Sequence, residues 1–293
     1  MRPAHVALAA LTSVVWGLAF VASKLALESF SPAQLTAARF LLACLPVVVV
    51  PRPRLPWPSV VLIGLTLFTG QFVLLFLALA HGLPPGVASV TQQLQAFFTV
   101  LLAAVFLGDV PTPRQGAGMA VAFLGLALVA LTVGADLSLV GLGLGLGGAF
   151  SWAIGNVLVK RAAGVSILPL VVWCSLVPPL PALLVSAVYD PPGNLVDAVV
   201  TASWRSLGGL LYLAALATVV AYAVWGFLLQ RYPTAVVAPF ALLAPCAGVL
   251  ASAAVFGEVP SATRLAGMAL ILLGLAVVVL PNRVGSRRGR GAS

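Results

Sequence analysis

The chain has 293 residues, of which 62% are hydrophobic and only 7% are charged, and its formal net charge is +9. Soluble globular proteins carry about 25% charged residues, so a water-soluble fold would expose more apolar surface than this chain can cover. The positive charge does not indicate nucleic acid as a partner, because the basic residues lie mainly between apolar runs and in a short tail after the last one. We therefore expect an integral membrane protein in contact with membrane lipid.

Ten continuous apolar runs follow one another along the chain. A helix needs about 20 apolar residues to cross the hydrocarbon core, and continuous rather than alternating runs favour helices over a closed barrel. The first run resembles a signal peptide, but nine further runs follow it, so we interpret it as a retained span. The runs are 5–27, 34–50, 58–80, 86–107, 115–132, 139–159, 166–188, 206–229, 235–256 and 264–280.

The basic residues between the runs predict the orientation of the chain. With ten spans and the N-terminus in the cytoplasm, 11 of the 15 Lys and Arg residues lie on the cytoplasmic side and four on the other. Cytoplasmic loops carry the excess of Lys and Arg. We therefore expect both termini in the cytoplasm of a cell whose inner (plasma) membrane holds the protein as a multi-pass chain.

The sequence contains an internal repeat. The segments 108–111, 118–120 and 124–127 match 257–260, 267–269 and 273–276 at an offset of 149, and Trp16 and Lys24 match Trp152 and Lys160 at an offset of 136. The chain therefore divides into two five-helix repeats, 1–136 and 137–293. An odd number of spans per copy makes the second copy enter the membrane from the opposite face. The predicted fold is an all-α integral membrane protein of ten helices in two inverted repeats, an architecture typical of alternating-access transporters.

Several motifs resemble the EamA type of the drug/metabolite transporter superfamily. The segment 15–20 with Lys24, the pair Arg39-Phe40, Gly108-Asp109, the segment 150–153 with Asn156, and Gly257-Glu258 carry this resemblance over the whole chain. Segments 95–99 and 151–156 are similar to those of bacterial exporters of cysteine, O-acetylserine and other amino acids, including aromatic amino acids. The resemblance implies ten helices, an inner-membrane location, and export of amino acids or related metabolites as the small-molecule cargo.

Polar and aromatic residues in the middle of the apolar runs are the candidates for substrate binding. A polar side chain deep in the membrane is unfavourable unless it meets a partner or water, and amides offer donors and acceptors without net charge. Aromatic faces attract an ammonium group, and mid-run aromatic residues are poorly explained as an interfacial belt, which fits Trp57, Tyr189 and Trp204 at the run ends. The alternative for the polar residues is helix–helix hydrogen bonding. The candidates are Trp16, Phe20, Gln71, Gln92, Gln95, Thr99, Trp152, Asn156, Thr218, Tyr222 and Trp225.

Four residues are candidates for gating. Lys24 and Arg39 lie towards the outer ends of the first two runs, where they either snorkel to the interface or contact a gate or cargo. Pro239 and Pro245 in the ninth run should kink it. Asp109 and Glu258 follow the ends of runs and should anchor loops.

Several kinds of chemistry lack a sequence signature. The three cysteines lie inside apolar runs and indicate neither a disulfide framework nor a metal site, and no cofactor motif or GxxxxGK[ST] nucleotide motif is present. No carboxylate lies in the middle of a run, so facilitated diffusion is the simpler mechanism, with ion coupling left open. The two histidines, His5 and His81, lie at run ends without a partner motif.

Three other interpretations remain open at this point. The same architecture fits a multidrug or lipid carrier. A membrane-embedded lipid-modifying enzyme would need His, Asp or Glu near the bilayer face, and a structural scaffold would need none of these features. The residues do not identify the metabolite, the oligomeric state or the most stable conformation.

Overall fold

The computed structural model describes residues 1–83, 85–131, 138–190, 195–257 and 261–279. Throughout these ranges the regular secondary structure is helical. Eight of the described helices are long and apolar enough to cross a membrane. The chain is therefore a multi-pass membrane protein, as its composition predicts. Asp136, Glu258 and the four tail arginines lie outside the described residues.

In the described residues, each of the ten predicted runs overlaps a stretch of helix, and we number these stretches in chain order. Eight of them are the helices that are long and apolar enough to cross a membrane. The other two, α2 and α5, are 17 and 18 residues long. A short connecting helix, Leu195–Thr201, precedes α8. The bounds are α1 Pro3–Ala26, α2 Pro32–Val48, α3 Trp57–Ala80, α4 Pro85–Leu107, α5 Pro113–Ala130, α6 Leu139–Arg161, α7 Ile167–Tyr189, α8 Trp204–Arg231, α9 Thr234–Phe256 and α10 Ala262–Val279.

Four of the helices contain an irregular segment. In α7 the α-helix stops at Cys174 and resumes at Pro179, and in α9 the segment Ala238–Leu242, which contains Pro239, is a 3₁₀-helix. Proline lacks the N–H that would continue the α-helical ladder, so these two interruptions follow from the sequence. In α3 and α8 the segments Leu65–Gly70 and Leu213–Val220 are π-helical. Such turns are rare and frequently mark functional sites.

Glycines allow α5 and α10 to pack in close contact. A Cβ atom added to Gly118 would lie 2.7 Å from the backbone oxygen of Gly274, and one added to Gly125 would lie 2.5 Å from that of Gly267. Both distances are too short for any side chain, so glycine is required at this crossing. Gly118 on α5 contacts Gly274 on α10, and Gly125, seven residues later on α5, contacts Gly267, seven residues earlier on α10. The two helices therefore run antiparallel.

Candidate functional site

A cavity of about 320 Å³ lies among seven helices from both halves of the chain. Among the described residues, its walls combine aromatic rings, amides and small side chains with one cation, Arg39. The lining residues are Trp16, Ala19, Phe20 and Ser23 of α1, Arg39 of α2, Gln71, Phe72, Leu75 and Leu79 of α3, Ala88, Ser89, Gln92, Gln93 and Gln95 of α4, Trp152 of α6, Tyr222 of α8, and Ala241 and Ala244 of α9.

Most of the residues singled out in the sequence meet at this cavity. Seven of the 11 predicted substrate-binding residues line it, and they come from five helices. The seven are Trp16, Phe20, Gln71, Gln92, Gln95, Trp152 and Tyr222. A period of 3.6 residues predicts one shared face for Gln92, Gln95 and Thr99, of which the first two line the cavity. The convergence of five helices required the tertiary structure.

The other four predicted residues lie behind the lining and hold it in place. Trp225 Nε1 donates to Asn156 Oδ1 at 3.2 Å, and Asn156 Nδ2 donates to Thr99 Oγ1 at 3.2 Å. Thr218 Oγ1 accepts a hydrogen bond from Arg39. All four are buried with 1% exposure or less. Their hydrogen bonds match the packing alternative that the sequence left open.

A chain of hydrogen bonds crosses the cavity wall. Trp152 Nε1 donates to Tyr222 Oη at 3.3 Å, and Tyr222 Oη donates to Gln71 Oε1 at 3.1 Å. Gln71 Nε2 then reaches Gln95 Oε1 at 3.4 Å. The bonds join four helices, α6, α8, α3 and α4.

Aromatic rings close one end of the cavity. The Trp16 ring centroid lies 6.2 Å from that of Trp152, 5.2 Å from Tyr222 and 5.0 Å from Trp225. Beyond these rings the helices are packed with buried apolar side chains such as Leu228 and Leu229. The cavity lining instead extends the other way, along α1 to Ser23 and along α3 to Leu79.

Arg39 is the cation of the cavity. It is only 8% exposed, so it does not snorkel to the interface. Its Nε donates to Thr218 Oγ1 at 2.5 Å, and its Cζ lies 4.7 Å from the ring centroid of Phe72. The π-helical turn of α8 supplies Thr218, whose hydroxyl donates in turn to the Leu213 carbonyl five residues back, at 2.8 Å.

The remaining gating candidates lie apart from the cavity. Lys24 Nζ lies 3.9 Å from the centroid of the Phe256 ring at one end of α9. Pro239 is buried in the 3₁₀ segment, and Pro245 lies in the first turn of the α-helix that follows it. Pro239 is thus associated with a visible irregularity of α9, whereas its part in gating stays a prediction.

A polar cluster seals the bundle beyond the aromatic rings. We call it the Lys160 cluster: Asp109, Lys160, Tyr232 and Thr234. Lys160 Nζ donates to Asp109 Oδ2 at 2.5 Å, to the Tyr232 carbonyl at 3.0 Å and to Thr234 Oγ1 at 2.9 Å, and the Thr234 N–H donates to Asp109 Oδ2 at 2.6 Å. Burial raises the pKa of Asp109, but the hydrogen bonds from Lys160 and Thr234 outweigh it and hold that pKa below its ordinary value. The cluster joins the ends of α4 and α6 to the α8–α9 connection, so Asp109 anchors a loop as expected.

The other reactive side chains lie away from the cavity. The three cysteines are buried free thiols. His5 Nδ1 lies 2.7 Å from Tyr232 Oη, and His81 Nδ1 lies 2.8 Å from the Leu77 carbonyl oxygen. Among the described residues no group of three His, Cys, Asp or Glu side chains could hold a metal ion.

Several lining residues were not singled out in the sequence. Gln93 belonged to the dense polar group of the fourth run, and Phe72 follows Gln71, so both carried a usable signal. Ser23, Ser89 and the lining alanines did not, because small residues are common throughout membrane helices. Arg39 was assigned to gating on its position in the sequence, and the structure places it in the cavity wall.

Three comparisons relate the chain to known proteins. The model of the EamA-like transporter family matches it twice, over residues 4–131 and 139–280. The chain is 40% identical to a Salmonella typhimurium protein named "Probable amino-acid metabolite efflux pump", over 94% of this chain and 95% of the relative. It is 30% identical to a Streptantibioticus cattleyicolor protein named "Probable terminal-alkyne amino-acid exporter", over 97% and 95%. A solved structure titled "Crystal structure of protein" aligns with a TM-score of 0.79 at 20% identity, over 95% of this chain and 99% of the other, and this likeness concerns the fold alone.

Proposed function

Because the chain belongs to the EamA-like transporter family, we propose that it exports amino acids or related small polar metabolites across the inner membrane by alternating access. Its relatives named as an amino-acid metabolite efflux pump and an amino-acid exporter match nearly its whole length. Family membership makes it a transporter rather than a lipid-modifying enzyme.

The cavity is the observation that carries the proposal. It combines amides, aromatic rings and one guanidinium, and this chemistry suits a zwitterion, whose carboxylate and ammonium both need polar partners. Its volume of about 320 Å³ lies at the low end of the roughly 300–1,000 Å³ range of ligand pockets. A cargo of amino-acid size fits such a space better than a lipid or a large drug.

We also propose an inverted repeat of ten spans, divided between residues 136 and 137, and packing between the two halves supports the inverted relation. The offset of 149 relates Gly118 to Gly267 and Gly125 to Gly274, and Gly118 contacts Gly274 while Gly125 contacts Gly267. A two-fold axis perpendicular to both helices exchanges these two contacts. Other contacts follow the same rule: α1 packs on α9 and α8, while α6 packs on α4 and α3.

The bundle then has two possible access routes, of which one is sealed. Tryptophans and the Lys160 cluster seal the end at which α6 terminates. With both termini in the cytoplasm, this sealed end faces the cytoplasm and the cavity faces outward. Exchange of conformation between the two halves would open the cytoplasmic end and load the cargo.

We propose a facilitative mechanism. The lining contains no Asp, Glu or His in the part of the chain that the structure describes, and proton or sodium sites in membranes usually include such a group. The cargo's own gradient would then drive export.

Reconstitution of the full chain in liposomes tests the function. We expect saturable counterflow of at least one labelled amino acid from a panel of twenty, with no requirement for a pH gradient. Flux should be weaker for Gln95→Ala than for Gln115→Ala, because the Gln115 amide lies outside the cavity, where it accepts a hydrogen bond from the Thr112 N–H. Absence of saturable flux for every amino acid, with flux of a lipophilic dye or labelled lipid instead, would replace the proposal with a drug or lipid carrier. Flux that depends on a pH gradient would overturn the facilitative mechanism alone.

A further inference from the structure

We propose that Arg39 binds the carboxylate of the cargo, and that the side-chain oxygens of Gln92 and Gln93 accept hydrogen bonds from its ammonium group. This inference rests on the proposed function and assigns the two ends of the amino acid to named atoms.

Arg39 retains most of its hydrogen-bonding capacity for a ligand. A guanidinium has five N–H donors in a planar fork. The Nε–H donates to Thr218, whereas the two terminal nitrogens make no hydrogen bond or ion pair to any residue within the described ranges. These four remaining donors belong to a side chain that lines the cavity. A carboxylate is the group that matches such a fork with two parallel bonds.

The charge of Arg39 has no counterion in the described protein. The acidic residues that the structure describes, Glu28, Asp109, Asp190 and Asp197, all lie in connections between the long helices. A buried charge without a partner is strongly unfavourable, and in membrane proteins such a charge typically marks a ligand pathway. An anionic group on the cargo would neutralise it.

Two neighbours hold the guanidinium in one orientation. Thr218 receives its Nε–H, and the ring of Phe72 lies 4.7 Å from Cζ, within the range of a cation–π contact. Thr218 is itself held by its bond to the Leu213 carbonyl. A preorganised cation of this kind loses little freedom when it binds an anion.

The amides of α4 complement this cation with unpaired acceptors. Gln92 Nε2 donates to the Gly145 carbonyl at 3.2 Å, which leaves Oε1 as its free atom. Gln92 Oε1 and Gln93 Oε1 are buried and have no hydrogen-bond partner in the described chain. Buried polar atoms nearly always have a partner, and both side chains line the cavity. Rotation of these side chains towards the cavity would present both oxygens to an ammonium group, which has three N–H donors for them.

Arg39 has a neutral residue at the equivalent position in the second half of the chain. The offset of 136 that relates Lys24 to Lys160 places Ser175 at the position equivalent to Arg39. Ser175 is neutral and donates to the Val171 carbonyl within its own helix. One half alone thus provides an anion-binding group, which would orient the cargo in a single way.

Binding of leucine and its analogues to the unmodified protein tests the inference first. Tryptophan fluorescence, to which Trp16 and Trp152 in the cavity wall contribute, would follow binding of leucine, leucinamide, leucine methyl ester and 3-methylbutylamine to the purified full chain. If leucine is not bound, the same four-compound series is built on the best-transported member of the panel. We expect the free acid to bind about 10- to 100-fold more tightly than the three analogues that lack a carboxylate, the range expected for a charged hydrogen-bonded pair. Equal affinity for acid and amide would overturn the assignment of Arg39 without affecting the transport function.

The variant Arg39→Gln tests the residue itself, with Arg52→Gln as the matched control. Arg52 lies outside the cavity, where it donates to the Leu55 carbonyl and faces Trp57. Arg39→Gln should lower affinity for the acid about 10- to 100-fold and abolish the preference of acid over amide, while Arg52→Gln keeps both. A folded Arg39→Gln protein that still prefers the acid would refute the inference. If this variant does not fold, the analogue series on the unmodified chain decides the question. Failure of the unmodified chain to bind or transport any amino acid would instead reject the proposed function.

Discussion

The Lys160 cluster provides the sharpest test of the gating mechanism. Asp109 Oδ2 accepts one hydrogen bond from Lys160 and one from the Thr234 backbone, at 2.5 and 2.6 Å. Asp109→Asn keeps the size of the side chain and removes its negative charge. The seal at this end of the bundle should weaken, because a neutral amide oxygen is a poorer acceptor for the Lys160 ammonium.

The structure sets the size of this effect. The side chains of Lys160 and Asp109 are 19% and 16% exposed, so solvent screens their contact only in part. A hydrogen bond to a charged group contributes about 1.5–3 kcal/mol. A loss of about 2 kcal/mol from the sealed conformation would raise the population of the open one roughly 30-fold, at 1.4 kcal/mol for each factor of ten.

Labelling of a cysteine beneath the seal measures that population. Val157 is buried on α6 between the cavity and Lys160. We expect Val157→Cys, in a chain whose native cysteines are alanines, to react with a membrane-impermeant maleimide roughly 30-fold faster when Asp109→Asn is added. Asp197→Asn, the same chemical change in the connecting helix, should leave the rate unaltered. Equal rates with and without Asp109→Asn would show that the cluster does not hold this end closed.

Three further predictions use other parts of the fold. Gly118→Ala should lower the free energy of unfolding by about 1–3 kcal/mol through overpacking against Gly274, while Gly116→Ala, at a position with open space around it, should raise the melting temperature in detergent or leave it unchanged. Tyr222→Phe removes a hydroxyl that both donates and accepts in the cavity wall, so the Kd for cargo should rise about 5- to 10-fold in the fluorescence titration; an unchanged Kd would remove the hydroxyl from the site. The pKa of Asp109 is lowered in the sealed state. The ionised carboxylate therefore stabilises that state fully above the ordinary carboxyl pKa of about 3.9, and this stabilisation is lost only as pH falls through the lowered value. The labelling rate of Val157→Cys, corrected for thiol ionisation, should therefore be constant from pH 5.5 to 8.

The sequence predicted the position of the helices well, because apolar runs between Pro- and Gly-rich separators are a direct physical requirement of the bilayer. It also located Pro239 at an irregular segment, since a missing N–H acts locally. The two π-helical turns were not predictable. Their extra residue per turn is stabilised by contacts such as the bond between Arg39 and Thr218, and these contacts join residues far apart in the chain.

The candidate site could also be predicted in part from local features of the sequence. Polar and aromatic residues in mid-run carry a local signal, which found Trp16, Gln71 and Tyr222 in the lining. The same signal cannot separate the lining from the layer behind it, so Asn156 and Thr218 were grouped with them although they bond to neighbouring side chains. Which side of a helix faces the cavity depends on the crossing of its neighbours, and that crossing is set by packing of both halves together.

Residues that match between the two halves and residues that differ between them have separate roles in the proposed mechanism. The glycines of α5 and α10 make reciprocal contacts, and in the proposed inverted repeat these contacts would let either half take the conformation of the other. Such an exchange would move the cavity's access from one face to the other only if the two conformations had similar free energy. An amino acid, the proposed cargo, is asymmetric, with an anionic and a cationic end. A site that distinguishes these ends must depart from the two-fold relation, and the departure occurs at Arg39, where the second half has Ser175. The small residues at helix crossings therefore retain the repeat, while the side chains that face the cargo differ between the two halves.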